Sequence, residues 1–228
     1  MNVKEQVGDW YNMLEPMFKM DYFQKLIEQH RKNVTTSKVY PERGKVFRAF
    51  ELCSLESVRV IILGQDPYHD GSATGLAFAN DGVGRVSPSL RNVIQTVKND
   101  YGAVHVNPNL ESWAKQGVLL LNTALTVQKG MPGSHINMWM PFTRDLITKL
   151  SLEKPHLVWV LWGKKAQEYG KHIMYKAAHT ILRAPHPAAE VYSGGTAGFF
   201  TCGHFRKIND KLKQPIDWGV KQQMTIQV

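Results

Sequence analysis

Cysteine is scarce in this chain, which has only two among its 228 residues. Cys53 and Cys202 lie far apart and lack the CxxC spacing of thiolate metal sites, so neither a disulfide framework nor a thiolate metal site is indicated. The nine histidines form no pair at metal-ligating spacing beside a third ligand. We therefore expect no metal, and we expect an intracellular, cytoplasmic protein of a prokaryotic or viral source.

Long apolar runs and phosphate-binding glycine motifs are missing as well. No stretch reaches the roughly 18–20 apolar residues that span a membrane, and the first residues carry charges where a signal peptide is apolar. Neither GxxxxGK[ST] nor GxGxxG follows a strand-like segment. These absences argue against a membrane protein, an exported protein and the common nucleotide-cofactor enzymes, and we expect no cofactor.

The composition is that of one globular unit with an excess of positive charge. Apolar residues make up 43% of the chain, charged residues 21%, and the formal net charge is +9. Without repeats, low-complexity tracts or long linkers, the chain is expected to form a single domain over 1–228, with about 219–228 as a C-terminal extension. The basic excess favours a polyanionic partner such as nucleic acid. We expect a monomer.

Four apolar runs end abruptly in small or polar residues, as buried strands of a parallel sheet do. They occupy 58–63, 118–121, 157–161 and 180–182. Helical spacing of apolar residues predicts two short helices within 10–29 and further helices at 89–100, 141–150, 164–175 and 205–212. This strand, helix, strand order predicts an α/β fold, in which ligands bind outside the carboxyl ends of the strands.

Three polar residues follow such strand ends. Asp66 lies in the tight turn 64–69, Asn122 follows the run 118–121, and His186 lies between two prolines. A carboxylate can orient water or stabilise a cation, and an amide can read the edge of a planar ligand. Each residue alone is also explained by a structural role, as a turn residue, a strand cap or a hydrogen-bonded histidine. Together they indicate an α/β enzyme site for nucleotides, and their spacing leaves the reaction open.

Motifs around these residues resemble one enzyme family. The segment 61–69 (IILGQDPYH) followed by 75–78 (GLAF) resembles the water-activating motif of the family 1 uracil-DNA glycosylases. Segment 119–127 (LLLNTALTV) resembles the uracil-recognition segment of that family, and 186–187 followed by 198–200 (GFF) resembles its minor-groove loop. Further matches cover nearly the whole chain. The resemblance implies a three-layer α/β/α domain with a central four-stranded, mostly parallel sheet.

The resemblance also implies roles for the matched residues. Asp66 would orient the attacking water and stabilise the oxocarbenium-like sugar, while His186 would donate to the uracil oxygen beside the breaking bond. Asn122 would pair with the uracil edge and Tyr68 would exclude the methyl group of thymine. Phe78 would stack on the flipped base. The main chain of Gln65 would also contact uracil.

The implied partner is DNA that contains uracil, single- or double-stranded, with the acidic inhibitor protein of the family as a second candidate. The expected DNA contacts are His69, Ser87, Pro88, Ser89, Lys171, Ala188, Glu190, Val191 and Tyr192. At Lys171 the family commonly has serine, so a cation replaces a hydroxyl. A rival interpretation is a replication accessory protein that kept the fold and its DNA binding while losing efficient catalysis.

The minor-groove loop departs most from the family pattern. The family reads His-Pro-Ser-Pro-Leu-Ser, with the leucine entering the duplex, whereas 186–192 reads HPAAEVY and a glycine-rich stretch follows. One hypothesis is that Val191 or Tyr192 replaces the leucine as the apolar wedge. The competing hypothesis is that efficient duplex flipping has been lost and single strands are preferred.

Overall fold

A computed structural model describes residues 3–81 and 86–219. The C-terminal extension predicted at about 219–228 lies outside these residues except for its first position. The strands are β1 (Val39–Tyr40), β2 (Val60–Gly64), β3 (Val118–Asn122), β4 (Val127–Gln128), β5 (Val158–Trp162) and β6 (Thr180–Ala184). The helices are α1 (Val3–Val7), α2 (Tyr11–Phe18), α3 (Asp21–Thr36), α4 (Arg48–Leu52), α5 (Pro88–Tyr101), α6 (Glu111–Ala114), α7 (Ile136–Glu153), α8 (Gly163–Tyr169), α9 (Ala189–Tyr192) and α10 (His204–Asn209).

The centre of the fold is a four-stranded sheet in the order β3-β2-β5-β6, and every neighbouring pair in it is parallel. All positions of β2, β3 and β5 are buried. Burial on both faces explains why these strands are continuous apolar runs without alternation. The predicted three-layer α/β/α architecture is confirmed. The two-residue strands β1 and β4 pair separately and antiparallel, and they are too short to give a sequence signal.

The helices follow the predicted pattern, although some boundaries were wrong. Helix α5 lies within one residue of its prediction at either end. Helix α7 begins at Ile136, five residues before the predicted start at Pro141. Proline favours the first turn of a helix, but here Trp139 and Phe142 on both sides of it are buried, and their packing offsets the lost hydrogen bond. Helix α3 continues to Thr36, past the predicted limit at 29.

The core is rich in aromatic side chains. All six tryptophans of the chain are buried. Trp218 packs edge to face on Trp113 and on Phe205 at ring distances of 5.0 and 4.9 Å, and Trp113 packs on Phe205 in a tilted arrangement at 5.7 Å. Trp162, at the end of β5, joins this cluster to the edge of the sheet where the predicted site lies. None of the helices formed by residues 3–81 and 86–219 has the length and apolar character of a membrane span.

Candidate active site

A cavity of about 210 Å³ opens at the carboxyl ends of the parallel strands. Because parallel strands end at the same edge, the loops after β2, β3 and β6 meet there. The cavity is lined by Gly64, Gln65, Asp66, Pro67, Tyr68, His69, Phe78, Ser89, Asn122 and His186. All the residues predicted to act on the base are therefore in one place, although they come from widely separated parts of the chain.

Asp66 is held in place by its hydrogen bonds. The backbone N–H of Gly133 donates to Asp66 Oδ2 at 2.6 Å, and Gln65 Nε2 donates to Oδ1 at 3.2 Å. The turn itself is attached to the end of β3, because the carbonyl of Gln65 accepts from the N–H of Ala124 at 2.9 Å and from Thr123 Oγ1 at 2.8 Å. The carboxylate is thus fixed in orientation before any ligand binds, as electrostatic catalysis requires.

Asn122 is the last residue of β3, and its side chain faces the cavity while the residue is only 5% exposed. Gly64, opposite it on β2, leaves the space for the amide. A Cβ atom at position 64 would lie 2.3 Å from Asn122 Oδ1 and 2.9 Å from the Cβ of Ala77. The glycine therefore permits a close approach between two strand ends, and the amide is confined between its neighbours and the cavity.

Tyr68 and Phe78 form two fixed walls of the cavity. The hydroxyl of Tyr68 donates to the carbonyl of Phe78 at 3.0 Å and is hydrogen-bonded to Ser87 Oγ. Burial raises the pKa of Tyr68 to about 12, so the phenol keeps its proton at neutral pH. Phe78 has a positive φ of 64°, which is rare for an aromatic residue, and its ring packs on Trp162 at 5.4 Å and His186 at 6.1 Å.

His186 is held as a neutral imidazole. Its Nδ1 accepts from the N–H of Ala188 at 3.1 Å, so the ring proton is on Nε2, and burial holds the pKa of the ring below its usual value. The carbonyl of Pro187 accepts from Asn92 Nδ2 at 2.7 Å. Gly163 packs against the ring at φ +84°, and a Cβ there would lie 2.7 Å from the Cβ of His186. His186 therefore offers one N–H donor in a constrained position.

In the loop that follows His186, the residues predicted to contact DNA point in two directions. Val191 and Tyr192 project outward from α9 and are 55% and 89% exposed. Glu190 points inward, is 3% exposed, and accepts hydrogen bonds from three backbone amides further along the loop. The predicted DNA contact of Glu190 does not fit this position, because its carboxylate is covered and already bonded within the protein.

The N-terminus of α5 also borders the cavity. Ser87 caps this 14-residue helix by accepting from the N–H of Leu90 at 3.1 Å, and Pro88 occupies its first position. Ser89 lines the cavity. The free N–H groups of a first helical turn attract anions, so a phosphate placed beside a base in the cavity would meet this end of the helix.

Lys171 is near a second cavity of about 240 Å³ that shares Gln65 with the first. Lys165 lines it as well, with its Nζ 4.0 Å from Oε1 of Glu168, which also lines it. Burial, followed by the charge of Lys171, holds the pKa of the neighbouring His172 below its usual value. His69 lies on the wall of the first cavity. Lys171 and the N-terminus of α5 can each attract an anion near these cavities.

Sequence reasoning gave no role to several residues that shape the site. Gly133 donates to Asp66 across 67 positions of the chain, and Asn92 holds the loop of His186 from α5. Gly163 follows the strand-like run 157–161, but nothing in the sequence showed its contact with His186. These contacts are tertiary, and no local spacing signals them.

His204, which packs against Trp162, is expected to make the free energy of unfolding depend on pH. Trp162 Nε1 donates to His204 Nδ1 at 3.0 Å, and burial, followed by the charge of Lys207, lowers the pKa of His204 to about 4. Between pH about 6.5 and about 4 the unfolded state binds a proton that the folded state does not. We expect the free energy of unfolding to fall over this window, with roughly 3 kcal/mol due to this residue.

Denaturant unfolding of the unmodified protein and of His204→Gln across pH 7 to 4 checks this expectation. Glutamine keeps an acceptor for Trp162 and does not titrate, so its stability should depend less on pH. Equal slopes for the two proteins would show that His204 does not cause the loss.

Comparison with known proteins gives consistent results. The family model described as "Uracil DNA glycosylase superfamily" matches residues 50–213. A uracil-DNA glycosylase of Azobacteroides pseudotrichonymphae is 42% identical over 218 residues, which cover 94% of this chain and 96% of that protein. The crystal structure of mimivirus uracil-DNA glycosylase superposes with a TM-score of 0.87 at 25% identity, covering 96% of this chain and 89% of that one. A variant of the mimivirus enzyme in complex with UGI has the same TM-score at 26% identity, with 96% and 91% covered.

Proposed function

The chain belongs to the uracil-DNA glycosylase superfamily, and on that premise we propose that it is a family 1 uracil-DNA glycosylase. It flips deoxyuridine out of DNA, hydrolyses the N-glycosidic bond, and leaves an abasic site for base excision repair. The observation that supports this is the meeting of Asp66, Asn122 and a neutral His186 on one cavity. The three side chains suit the sugar, the base edge and the leaving group respectively.

The proposed chemistry uses fixed charges and dipoles. As the bond from uracil N1 to the sugar C1′ breaks, positive charge develops on the sugar and negative charge on the base. The Asp66 carboxylate stabilises the sugar cation and orients the water that adds to C1′. His186 Nε2–H donates to the adjacent uracil oxygen as negative charge accumulates there. A neutral donor acts without a full proton transfer, which agrees with the lowered pKa of the ring.

Selectivity for uracil follows from the remaining walls. The Asn122 amide accepts from uracil N3–H and donates to O4, whereas cytosine presents the opposite pattern and would leave buried groups unpaired. Tyr68, whose hydroxyl is tied to Phe78 and Ser87, cannot rotate away from a methyl group on C5. Phe78 provides an aromatic surface for the base, and the main chain of Gln65 borders the same space.

The exposed residues of the loop support insertion into the duplex. Tyr192 at 89% exposure and Val191 at 55% are apolar groups on the outer side of the loop that carries His186. We expect Val191→Ala together with Tyr192→Ala to lower uracil release from duplex DNA by about tenfold or more, because the vacated stack is no longer filled. Release from single strands should change little. Unchanged duplex turnover in both single variants and in the double variant would refute the wedge and leave the preference for single strands as the alternative.

Gly163 provides a test of the His186 position. We expect Gly163→Ala to reduce the rate of uracil release by about 10²-fold, because its Cβ would collide with the His186 side chain. Gly102→Ala is the matched control, since Gly102 has a similar φ of +80° and nothing within 4 Å of its added Cβ. Both positions have a positive φ that favours glycine, so equal activities, measured in single turnover, would contradict the proposed role of this contact.

Further features of the proposal rest on the same family membership. The enzyme acts as a monofunctional hydrolase, as a monomer and inside the cell, with no cofactor. DNA contacts by His69, Ser89, Lys171 and Ala188 are supported by their places on the two cavities and in the loop after His186. Contacts by Ser87 and Pro88 are supported by their place at the N-terminus of α5, next to Ser89. The complex of the mimivirus variant with UGI supports this inhibitor as a second partner.

The direct test of this activity compares substrates that differ only in one base. Oligonucleotides with uracil, thymine or cytosine at one position are incubated with the protein in EDTA, and free base is measured by chromatography. We expect release from the uracil substrate alone, on single strands, duplexes or both. Tight DNA binding without any release would instead favour the replication accessory protein.

A further inference from the structure

Glu190 combines a carboxylate with almost complete burial. The residue is 3% exposed, and burying an unpaired carboxylate is very costly. Its two oxygens are satisfied by backbone amides alone. Oε2 accepts from Ala197 at 3.0 Å, and Oε1 accepts from Phe200 at 3.0 Å and, in a shorter bond, from Phe199. Hydrogen bonds to an ionised group are stronger than neutral ones, so these three contacts tie the loop firmly.

The segment closed by these bonds is the one that departs from the family pattern. Between Glu190 and Ala197 lie Val191 and Tyr192, the exposed side chains proposed as wedges. The carbonyl of Glu190 also accepts from the N–H of Gly195 at 2.9 Å, so main chain and side chain close the same loop. Glycine-rich segments lose the most conformational freedom when they become ordered. The hydrogen bonds of Glu190 across this segment restrict its conformations.

The same bonds connect the loop to the base cavity. Phe199, one of the three amide donors, is fully buried and packs edge to face on Trp162 at 5.0 Å. Trp162 in turn packs on Phe78 at 5.4 Å. Towards the N-terminus, Glu190 directly follows the turn 186–189, in which Ala189 N–H donates to the His186 carbonyl at 2.8 Å. Glu190 therefore connects the exposed tip of the loop, Val191–Tyr192, to the side chains that would hold the flipped base.

We propose that Glu190 is a positioning residue for duplex substrates, whose carboxylate holds the Val191–Tyr192 tip at a fixed place relative to the uracil cavity. This inference rests on the proposed glycosylase function. Displacing a base from a duplex costs a few kcal/mol. If the tip had to become ordered on binding, the entropy lost would reduce the binding free energy that offsets this cost. A single strand has no paired base to displace, so its turnover does not depend on the tip.

The experiment compares single-turnover uracil release from a duplex and from the matching single strand, using the full chain and Glu190→Gln. Glutamine has the same shape, but its Nε2 presents a donor to the loop amides, so at least one bond is lost. We expect the duplex rate to fall by about tenfold or more, while the single-strand rate stays within about threefold. Glu190→Asp keeps the charge with a side chain one carbon shorter, and we expect a smaller change in the duplex-to-single-strand ratio. It also serves as the second variant if glutamine unfolds the loop.

Asp100→Asn is the matched control for a general loss of structure. Asp100 is 6% exposed, and its Oδ2 accepts from the N–H groups of Phe205 at 3.0 Å and Arg206 at 3.3 Å, neither of which is a partner of Glu190. We expect this variant to leave the duplex-to-single-strand ratio unchanged. If Glu190→Gln and Glu190→Asp also leave the ratio unchanged, the positioning role is overturned. If the unmodified protein releases uracil from neither substrate, it is the proposed function that fails.

Discussion

Replacing Asp66 with asparagine is expected to lower the rate of uracil release by at least about 10³-fold while the protein stays folded. The substitution removes the negative charge that stabilises the sugar cation and the second oxygen that orients water. The remaining amide oxygen can still accept from the N–H of Gly133, so the turn keeps its shortest hydrogen bond to this side chain. Single-turnover rates and thermal unfolding, measured on the same preparation, separate the two effects.

The control for this variant is Asp70→Asn in the same loop. The side chain of Asp70 accepts from the N–H and hydroxyl of Ser72 at 3.0 and 2.7 Å and does not line the cavity. We expect its rate to stay within about threefold of the unmodified protein, because the lost charge is exposed, screened by solvent and outside the cavity. If Asp66→Asn were as active as this control, the proposed role of the Asp66 charge would be wrong.

Asn122→Ala is expected to reduce kcat/KM for uracil-containing DNA by about 10²- to 10³-fold. The amide is the group that would read the uracil edge, and its removal leaves N3–H and O4 of the base without partners in a closed site. Free uracil, bound as product, should lose affinity in parallel, which calorimetry can measure without any catalytic step. Unchanged uracil affinity would show that the base does not pair with this side chain.

A second variant perturbs Asn122 without changing it. In Gly64→Ala the new methyl group would lie only 2.3 Å from Asn122 Oδ1 and displace the amide. We expect the same loss of uracil affinity as in Asn122→Ala, with both variants folded. Wild-type affinity in Gly64→Ala would contradict the close packing of the two strand ends as the reason for this glycine.

The location of the site could be predicted from the sequence because parallel strands impose it. Apolar runs that stop at Gly64 and Asn122 mark strand ends, and in a parallel sheet such ends meet at one edge. Family resemblance added the roles that spacing alone left open. Helix boundaries were less predictable, since Pro141 indicated a helix start where burial of its neighbours carried the helix further back.

The supports of the site could not be predicted, because they depend on how distant segments pack. Nothing in the sequence shows that Gly133 donates to Asp66 or that Asn92 holds the carbonyl of Pro187. For Glu190, the sequence indicated a role that its tertiary contacts do not fit. Its charge and its place in a loop expected to contact DNA predicted a surface position, whereas its side chain is buried and accepts hydrogen bonds from three backbone amides.

The most direct test is a crystal structure of Asp66→Asn bound to uracil-containing DNA. We predict that the uracil is out of the stack and inside the cavity, with its N3–H and O4 on the Asn122 amide. The oxygen beside the glycosidic bond should be on His186 Nε2, and C5 should face Tyr68. A uracil that stays stacked in the DNA, or that lies in the cavity with its edge turned away from Asn122, would contradict the account.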